Sequence, residues 1–571
     1  MLKSLVIKDQ GDSFVVDQLA NDLHINHAIA ILLVQRGIKT FKEAKSFFRP
    51  VLSQLHDPFL MKDMDAAVNR LNKAIANGEK IMIYGDYDVD GTTSVALVYS
   101  FLSERYKNLD YYIPDRYTEG YGISIKGIDH AYANKISLII ALDCGIKSME
   151  KINYAKEREI DFIICDHHTA GEKIPEAFAV LDPKRMDCSY PYKDLSGCAV
   201  GFKFMQAYAI SNNIPFDTLF PYLDLVAVSI ASDIVPITGE NRVLAYFGLK
   251  QLNLSPRDGL KAIIKVSGIE NKEIELNDVV FKIGPRINAA GRIESGKSSV
   301  ELLISTNKVI ATEMGDLIND YNNTRRNIDS LITKEALQLI AESKDLLNRN
   351  TTVIYNPNWH KGVVGIVASR LTETYFRPTV VLTESNGFIS GSARSVPGFD
   401  LYHAIEMCSH LLENFGGHMY AAGLTMKKEN YAAFSQKFEE AVSETILKEQ
   451  LIPVVEVDTV IELSDITPDF YNELKQFQPF GPENLPPVFL TENVADNGSG
   501  RIVGNDKEHL KLNLIQEKDP FREFPAIGFN MASYYNYVSQ GHTFDICYHI
   551  EENVFMGNTQ LQLRIKDIKK D

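Results

Sequence analysis

Three aspartates, Asp86, Asp88 and Asp90, lie within five residues of one another, directly after the apolar run Lys80–Tyr84. Three carboxylates this close repel one another unless solvent screens them or bound cations neutralise them. Hard divalent cations prefer oxygen ligands. The segment therefore predicts a divalent-metal site where a buried strand ends, and the alternative is an exposed acidic turn.

More carboxylates and two histidines follow other apolar runs of the chain. They are Asp143 after Leu138–Leu142, Asp166, His167 and His168 after Phe162–Cys165, and Asp233 after Leu223–Ile230. Taken singly, each fits a turn or a helix cap, and the two histidines fit a buried pair. Together they would gather where parallel strands end. Such a set is typical of a two-metal site that activates water and binds a phosphoryl group.

Three other motif patterns also match parts of the chain. The first aspartate cluster begins like an EF-hand loop, but Leu97 stands where the bidentate glutamate belongs, which excludes that reading. Asp88–Thr92 resembles the DxDGT motif of haloacid-dehalogenase phosphatases, in which the first Asp directly follows a strand; here Gly85–Tyr87 intervene, and the alternative stays open. Gly291–Ser298 satisfies the Walker A pattern, but no apolar strand precedes it, which argues against ATP binding.

The elements that must position these residues form an alternating pattern. Short helical patterns cover residues 14–75, and strands then alternate with helices, which indicates a parallel α/β sheet. Val300–Leu347 has helical periodicity without proline and predicts a long connecting helix. A second α/β pattern runs from Thr351 to about Leu447, and β-rich segments after Pro453 predict a small OB-like barrel.

Composition limits the class of protein. Of the 571 residues 45% are apolar and 23% are charged, as in ordinary globular proteins. The net charge of −16 argues against coating nucleic acid by bulk charge, although a local groove can still be positive. No apolar run reaches the ~18 residues of a membrane span. The six cysteines show no CxxC spacing, so we expect a cytoplasmic protein without disulfides or structural zinc.

The Asp166-His167-His168 triplet, with the aspartate cluster upstream and Asp143-Cys144-Gly145 between, resembles the DHH phosphoesterase superfamily. Four further motifs narrow the resemblance: Gly284–Arg292, Gly391–Ser395, Gly416–Gly423 and Phe480–Pro487. In order and spacing the set is similar to the RecJ family of bacterial single-strand-specific 5′→3′ DNA exonucleases, over nearly the whole chain.

This resemblance implies an α/β protein with a parallel-sheet DHH domain, a second α/β domain joined by a long helix, and a C-terminal OB-like barrel. The predicted segments are a helical lead-in to the DHH domain (1–75), the DHH domain (76–299), the connecting helix (300–347), the DHH-associated domain (348–447) and the OB-like nucleic-acid-binding domain (448–571).

The resemblance also implies roles for the polar cluster around two Mn²⁺ or Mg²⁺ ions. Asp143 matches the carboxylate that bridges both ions, Asp88 a ligand of one, and Asp90, His167 and Asp233 ligands of the other. Asp166 would orient the histidine pair, and His168 would face the scissile phosphate as an electrostatic stabiliser or proton donor. Pyrophosphatase-like members carry a metal-binding His where this chain has Tyr84, and whether Asp86 compensates is open.

Substrate contacts follow from the same resemblance. Arg116, Arg286 and Arg292 match contacts to the DNA backbone, and Ser392, Arg394 and His418 match residues that hold the 5′ end. For Arg286 and Arg292 the alternative is a structural salt bridge. In the barrel, base stacking is expected of some of its aromatics, the rest being core: Phe521, Phe524, Tyr534, Tyr535 and Tyr537.

The implied function is 5′→3′ exonucleolysis of single-stranded DNA that carries a 5′ end, by two-metal hydrolysis, in DNA recombination and repair. The expected protein is a cytoplasmic monomer without membrane contact, with a single-strand-binding protein and a helicase as partners. One alternative is another DHH phosphodiesterase, acting on short oligonucleotides or cyclic dinucleotides. The other is a non-enzymatic scaffold that has kept the fold.

Overall fold

The computed structural model describes residues 3–555 and 558–570 and divides into two compact units. One unit comprises residues 53–452; the other comprises the residues up to 52 together with those from Pro453 onward. Among the described residues, no helix combines the length and the apolar character that a membrane span needs.

The larger unit begins with a five-stranded parallel sheet. In spatial order its strands are Leu109–Tyr112, Lys80–Gly85, Ile136–Leu142, Asp161–Cys165 and Ala179–Leu181. Alternate side chains point to opposite faces of the sheet. Those on one face, such as Ile81 and Ile83, join the main core, and those on the other face, such as Met82 and Tyr84, join a second core. Burial on both faces explains why the central strand Ile136–Leu142 is almost entirely apolar.

Helices cover this sheet and then extend the domain. Those that alternate with the strands or pack on them are Met64–Ala76, Val89–Ser103, Ile125–Ala133, Met149–Lys156 and Gly197–Ser211. Those that follow are Leu223–Ser232, Gly239–Leu254, Asp258–Val266, Leu276–Asp278, the π-helical turn Val279–Ile283, Gly284–Ile293 and Lys297–Ile304.

The expected connecting helix is present as Lys308–Glu342, between the shorter helices Lys297–Ile304 and Lys344–Asn348. It begins at residue 308 because the Asn307 side chain accepts hydrogen bonds from the N–H groups of Val309 and Ile310. Its first half packs on the helices of the first sheet domain, and its second half packs on Val364–Tyr375 of the next domain.

The second α/β domain has a mixed five-stranded sheet. In spatial order its strands are Asn414–His418, Ala421–Met426, Phe388–Arg394, Thr379–Ser385 and Thr352–Tyr355. The last two strands pair in parallel and the others are antiparallel. Its helices are Val364–Tyr375, Leu401–Glu406 and Tyr431–Thr445.

The smaller unit is a closed β-barrel, as the β-rich sequence predicts. The strand order is Thr459–Val460, Phe489–Asp496, Phe544–Phe555, Asn558–Lys570, Asp519–Gly528, His509–Gln516 and Arg501–Val503. An additional antiparallel pairing between Phe489–Asp496 and His509–Gln516 closes the sheet on itself. The helix Pro468–Lys475 precedes the barrel's long strands.

Residues up to 52 belong with this barrel, so the prediction that 1–75 leads into the DHH domain is wrong for them. The strand Ser4–Ile7 pairs in parallel with Val454–Val457. The helix His27–Gln35 is apolar on all sides, and its seven buried residues share one core with barrel side chains such as Phe489. An all-apolar helix must be covered all round, and the barrel unit provides that cover. The helix Met64–Ala76 and the preceding Met61 join the core of the parallel sheet.

Candidate metal centre

The candidate centre lies where three adjacent parallel strands end. Asp86 follows Lys80–Gly85, Asp143 follows Ile136–Leu142, and Asp166 follows Asp161–Cys165. Asp143 has a left-handed backbone (φ 58°), which aspartate tolerates better than most residues, and its N–H donates to the Cys165 carbonyl (2.9 Å). The predicted gathering of carboxylates at one sheet edge is therefore present.

His167 is the centre of the cluster. Its Nε2 atom lies 3.2 Å from Asp143 Oδ1, 3.5 Å from Asp233 Oδ2 and 3.6 Å from Asp90 Oδ2. Within the described part of the chain, neither ring nitrogen of His167 and neither carboxylate oxygen of Asp143 has a hydrogen-bond partner. Both side chains are almost fully buried. Buried polar atoms without partners are costly, and a bound cation would satisfy them.

Two groups of donor atoms can each hold a metal ion. One comprises Asp90, His167 and Asp233, and the other comprises Asp143, His167 and His168; within each group the donor atoms lie within 4.8 Å of one another. Burial, and then repulsion by Asp90, raises the pKa of both Asp143 and Asp233 well above the usual range. A divalent cation would reverse this repulsion, so the residues present fit such an ion.

Asp88 and Asp90 are held at the start of the helix Val89–Ser103. Asp88 caps the helix by accepting a hydrogen bond from the Gly91 N–H (2.9 Å), and its charge also raises the pKa of Asp143. Asp90 accepts from the N–H groups of Gly197 (2.7 Å) and Cys198 (2.8 Å), and from the Ser229 hydroxyl. The Ser229 contact measures 2.6 Å. Asp90 is thus fixed by three donors.

The Asp166 carboxylate holds the histidine pair. Its Oδ1 accepts from the backbone N–H groups of His167 (2.7 Å) and His168 (3.1 Å) and lies 2.7 Å from His168 Nδ1, while Oδ2 accepts from the Ile146 N–H. Burial opposes ionisation of Asp166, but its hydrogen bond to His168 lowers the pKa below the usual range. Burial likewise opposes the charge on His168, but the hydrogen bond to Asp166 raises its pKa to about 9.

Nδ1 of His168 is engaged by Asp166, and this contact favours the protonated ring. Its Nε2 lies 3.2 Å from the Tyr121 hydroxyl, and 43% of its side chain is exposed. These contacts leave Nε2 at the accessible side of the cluster. The geometry suits a group that stabilises or protonates an oxyanion.

Tyr84 stands at the position of the superfamily histidine, and Asp86 lies two residues after it. The Tyr84 hydroxyl donates to the Gly122 carbonyl (3.0 Å) and accepts from the Ser124 N–H (3.1 Å), so its polar capacity is used away from the carboxylates. Asp86 is fully buried, and its Oδ2 has no partner among the described residues. Burial, then repulsion by Asp88, raises its pKa well above the usual range.

Predicted substrate-binding arginines from both α/β domains come together. Arg292 donates to the Gly362 carbonyl (2.8 Å), and burial together with the charges of Arg116, Arg325 and Arg394 lowers its pKa to about 9. Arg394 donates to the Ser392 hydroxyl (2.7 Å). No described residue forms an ion pair with Arg116, Arg292 or Arg394, so these charges are free to bind an anion.

His418 and Arg286 differ in their relation to this cluster. Burial, followed by the nearby charges of Arg394 and His168, lowers the pKa of His418. Arg286 instead donates to Asn319 Oδ1 (3.0 Å) and to the Lys282 carbonyl (2.7 Å). Both acceptors are uncharged, so these hydrogen bonds engage Arg286 without forming the structural salt bridge that was the alternative.

Sequence reasoning missed Arg325, which lies on the long helix Lys308–Glu342. It lines a cavity of about 200 Å³ with Arg292, Ser232 and Asn288. The Ser232 hydroxyl and Asn288 Oδ1 have no partner in the described part of the chain. A signal was present, because residue 325 continues the three- and four-residue spacing of the helix's buried stripe. That stripe comprises Ile318, Asn322, Asp329, Ile332 and Ala336.

Comparison with known proteins places this geometry in context. Family models match residues 80–230 (DHH family, N-terminal domain), 348–444 (DHHA1 domain) and 457–567 (RecJ OB domain). The single-stranded-DNA-specific exonuclease RecJ of Bacillus subtilis (strain 168) is 37% identical over 97% of this chain and 70% of its own length. RecJ of Dickeya dadantii (strain 3937) is 32% identical over 94% of this chain and 95% of its own length.

Solved structures share the fold. RecJ in complex with Mn²⁺ from Thermus thermophilus matches 100% of this chain and 80% of that chain, with a TM-score of 0.84 and 23% identity. A structure of exonuclease RecJ bound to manganese matches 70% of this chain and 98% of that chain, with a TM-score of 0.60 and 28% identity.

Proposed function

Since the chain belongs to the RecJ family, we propose that it is a single-stranded-DNA-specific 5′→3′ exonuclease that releases 5′ nucleotides by two-metal phosphodiester hydrolysis. The observation that carries the proposal is His167 Nε2, which lies within 3.6 Å of three carboxylates without a hydrogen-bond partner among the described residues. This arrangement supports an ion-binding centre rather than a packed core.

The metal ions are Mn²⁺ or Mg²⁺, the ions named for the Thermus thermophilus RecJ structures. Asp90, His167 and Asp233 would hold one ion; Asp88 would bind the other, and Asp143 would contact both. When bound, such ions lower the pKa of a coordinated water and stabilise charge on the reacting phosphate.

The chain's own residues then orient the substrate and supply a proton. Asp166 holds Nδ1 of His168, so Nε2 faces the accessible side of the centre. From there it donates a hydrogen bond to a phosphate oxygen, or a proton to the leaving oxygen. The Tyr121 hydroxyl, 3.2 Å from Nε2, would accept this hydrogen bond until a phosphate oxygen replaces it.

The cluster of arginines would explain why cleavage starts at the 5′ end of the strand. Arg394 is braced by Ser392, and together with Arg116, Arg292 and His418 it would bind the 5′-terminal phosphate of the strand. A terminal phosphate carries more negative charge than an internal diester, so this cluster favours strand ends. Cleavage would then proceed one step at a time from the 5′ end.

The barrel would hold the rest of the strand by base stacking. Exposure separates the candidate aromatics: Phe521 is 95% exposed, whereas Phe524 is buried. Phe529, which the sequence argument did not name, is 46% exposed, and the Arg564 guanidinium lies 5.5 Å from its ring centroid. We assign stacking to Phe521 and Phe529.

We further propose that the protein acts as a monomer in the cytoplasm, in recombination and repair. Its single-stranded substrate would be opened by a helicase and covered by a single-strand-binding protein. Membership of the RecJ family supports this role.

The test is a product time course on single-stranded DNA labelled at the 5′ or 3′ end, in Mn²⁺ and in EDTA, with duplex and circular DNA as controls. We expect the 5′ label to be released at once as mononucleotide in Mn²⁺, and circles to stay intact. Asp143→Ala should abolish release and keep the melting transition, whereas Asp320→Asn, an exposed aspartate on the long helix, should behave like the parent. Intact linear strands, combined with hydrolysis of a cyclic dinucleotide, would replace this proposal by the other DHH activity.

A further inference from the structure

A second cavity, of about 540 Å³, lies beside the helix Asp258–Val266. It is bordered by the end of the helix Gly239–Leu254, by the segment after residue 266, and by the first turn of Lys308–Glu342. Its floor is apolar, and all of the following floor residues are less than 10% exposed. They are Leu252, Ala262, Ile264 and Ile274.

Lysines surround this apolar floor. Lys261, Lys265, Lys272 and Lys308 line the cavity, against two acidic lining residues, Asp258 and Glu270. Lys272 is paired with Asp278 (2.7 Å). The other three lysines form no ion pair with any residue that the structure describes. The cavity therefore carries a local excess of positive charge on a chain whose net charge is −16.

The cavity is separate from the candidate metal centre. Its lining residues fall between 252 and 312, outside the segments 80–230 and 348–444 that the DHH and DHHA1 models match. None of them is a candidate metal ligand or a member of the arginine cluster. The cavity is therefore not required by the proposed hydrolysis.

We propose that this cavity docks an acidic peptide segment of a partner protein, with an apolar side chain of that peptide inserted among Leu252, Ile264 and Ile274. An apolar floor removes such a side chain from water. Lysine ammonium groups on flexible stems pair with carboxylates without demanding one geometry, which suits an extended peptide. The N-terminus of the long helix, at Lys308, adds to the positive potential.

The lining favours a peptide over nucleic acid. Among the described residues that line the cavity there is no arginine and no aromatic side chain. Surfaces that bind single strands use aromatic rings for base stacking and arginine forks for phosphates. A peptide needs neither group. The lysines at the rim would bind its carboxylates, and the apolar floor would bind its apolar side chain.

The probe is a fluorescein-labelled peptide of about twelve residues, with aspartates flanking two central leucines, a length typical of peptide-recognition grooves. Fluorescence anisotropy with the full chain measures binding. We expect the triple variant Lys261→Glu, Lys265→Glu and Lys308→Glu to bind at least ~10-fold more weakly, since three charge pairs become repulsive. A matched variant reverses three exposed lysines elsewhere, Lys42, Lys73 and Lys334, and should bind like the parent.

Two control probes complete the test: the peptide with Asn for Asp, and the peptide with Ala for Leu, both of which should lose binding. Exonuclease activity of the triple variant on single-stranded DNA should stay at the parent level, so failure here is distinct from failure of the proposed function. Equal loss in both triple variants, undiminished binding of the Asn peptide, or displacement of the peptide by a short single-stranded DNA would each overturn the proposal.

Discussion

Gly197→Ala tests whether the metal centre depends on the spacing between two carboxylates. Gly197 is the first residue of the helix Gly197–Ser211, and its N–H donates to Asp90 Oδ2 (2.7 Å). A Cβ atom at this position would lie 2.7 Å from Asp143 Cβ and 2.9 Å from Asp143 Oδ1. One methyl group would therefore push on Asp143 from the same residue that holds Asp90.

The size of the effect follows from these distances. Carbon atoms in contact prefer ~3.5–4.0 Å, so Asp143 or the helix must move by roughly 1 Å. Such overpacking costs ~1–3 kcal/mol. Misplacing a reacting group by about 1 Å can lower the rate ~100-fold. We expect kcat/KM to fall ~100-fold while the protein stays folded.

The assay compares hydrolysis of 5′-labelled single-stranded DNA in Mn²⁺ with the thermal midpoint of the same preparation. Gly201→Ala, one turn further along the same helix, is the matched control. There the new Cβ would meet Leu142 at 3.3 Å and Val98 at 3.4 Å, contacts that small side-chain shifts relieve. Parent-like activity of Gly197→Ala, or equal losses in both variants, would refute the reasoning about Asp90 and Asp143.

Three further outcomes are expected. Arg394→Ala should weaken binding of 5′-phosphorylated strands by ~1.5–3 kcal/mol, the worth of a charge-assisted contact, and should leave 5′-hydroxyl strands less affected; equal binding of both would remove its role. Lys297→Ala should leave nuclease activity unchanged without ATP, because Lys297 is exposed beside Glu301 (3.7 Å) rather than in a nucleotide cradle; a lost ATP requirement would restore the P-loop reading. Burial lowers the pKa of His549 from 6.5 to about 4, so below pH 6.5 the unfolded chain binds a proton that the folded barrel does not. Stability should therefore fall by about 2 kcal/mol between about pH 7 and pH 5, and His549→Gln, unlike the exposed control His542→Gln, should lose this component in thermal melts.

The candidate metal centre was partly predictable from the sequence because several of its residues follow apolar strands, although Asp233 follows the helix Leu223–Ser232. A parallel strand has a continuous apolar pattern, and neighbouring strands of such a sheet end at one edge. Asp86, Asp143 and Asp166 were therefore expected at the same place, and they lie there. The left-handed backbone of Asp143 had no sequence signal, because it is set by packing. The three donors to Asp90 had none either, because they come from residues more than 100 positions away in the chain.

The partners of amphipathic and apolar helices were harder to predict. The all-apolar helix His27–Gln35 indicates burial, but not the surface that buries it, and that surface lies more than 400 residues further along the chain. For the side chains of Arg286 and Arg325, too, the sequence does not identify the contact partners. Both are arginines on helices, and only packing shows that Arg286 is engaged by Asn319 and Lys282 while Arg325 lines the cavity beside Arg292.

Hydrogen-bond donors are unevenly distributed among the side chains of the candidate centre. Asp90 receives three donors, and Asp166 receives N–H groups from three residues, so the protein itself fixes these two side chains. Asp143 and His167 receive none from the described residues, although both are buried. An isolated fold would gain stability by replacing unpaired buried charges with apolar side chains. Their presence between two anchored carboxylates is best explained by an ion that completes them, and hence by a centre built for binding rather than for packing.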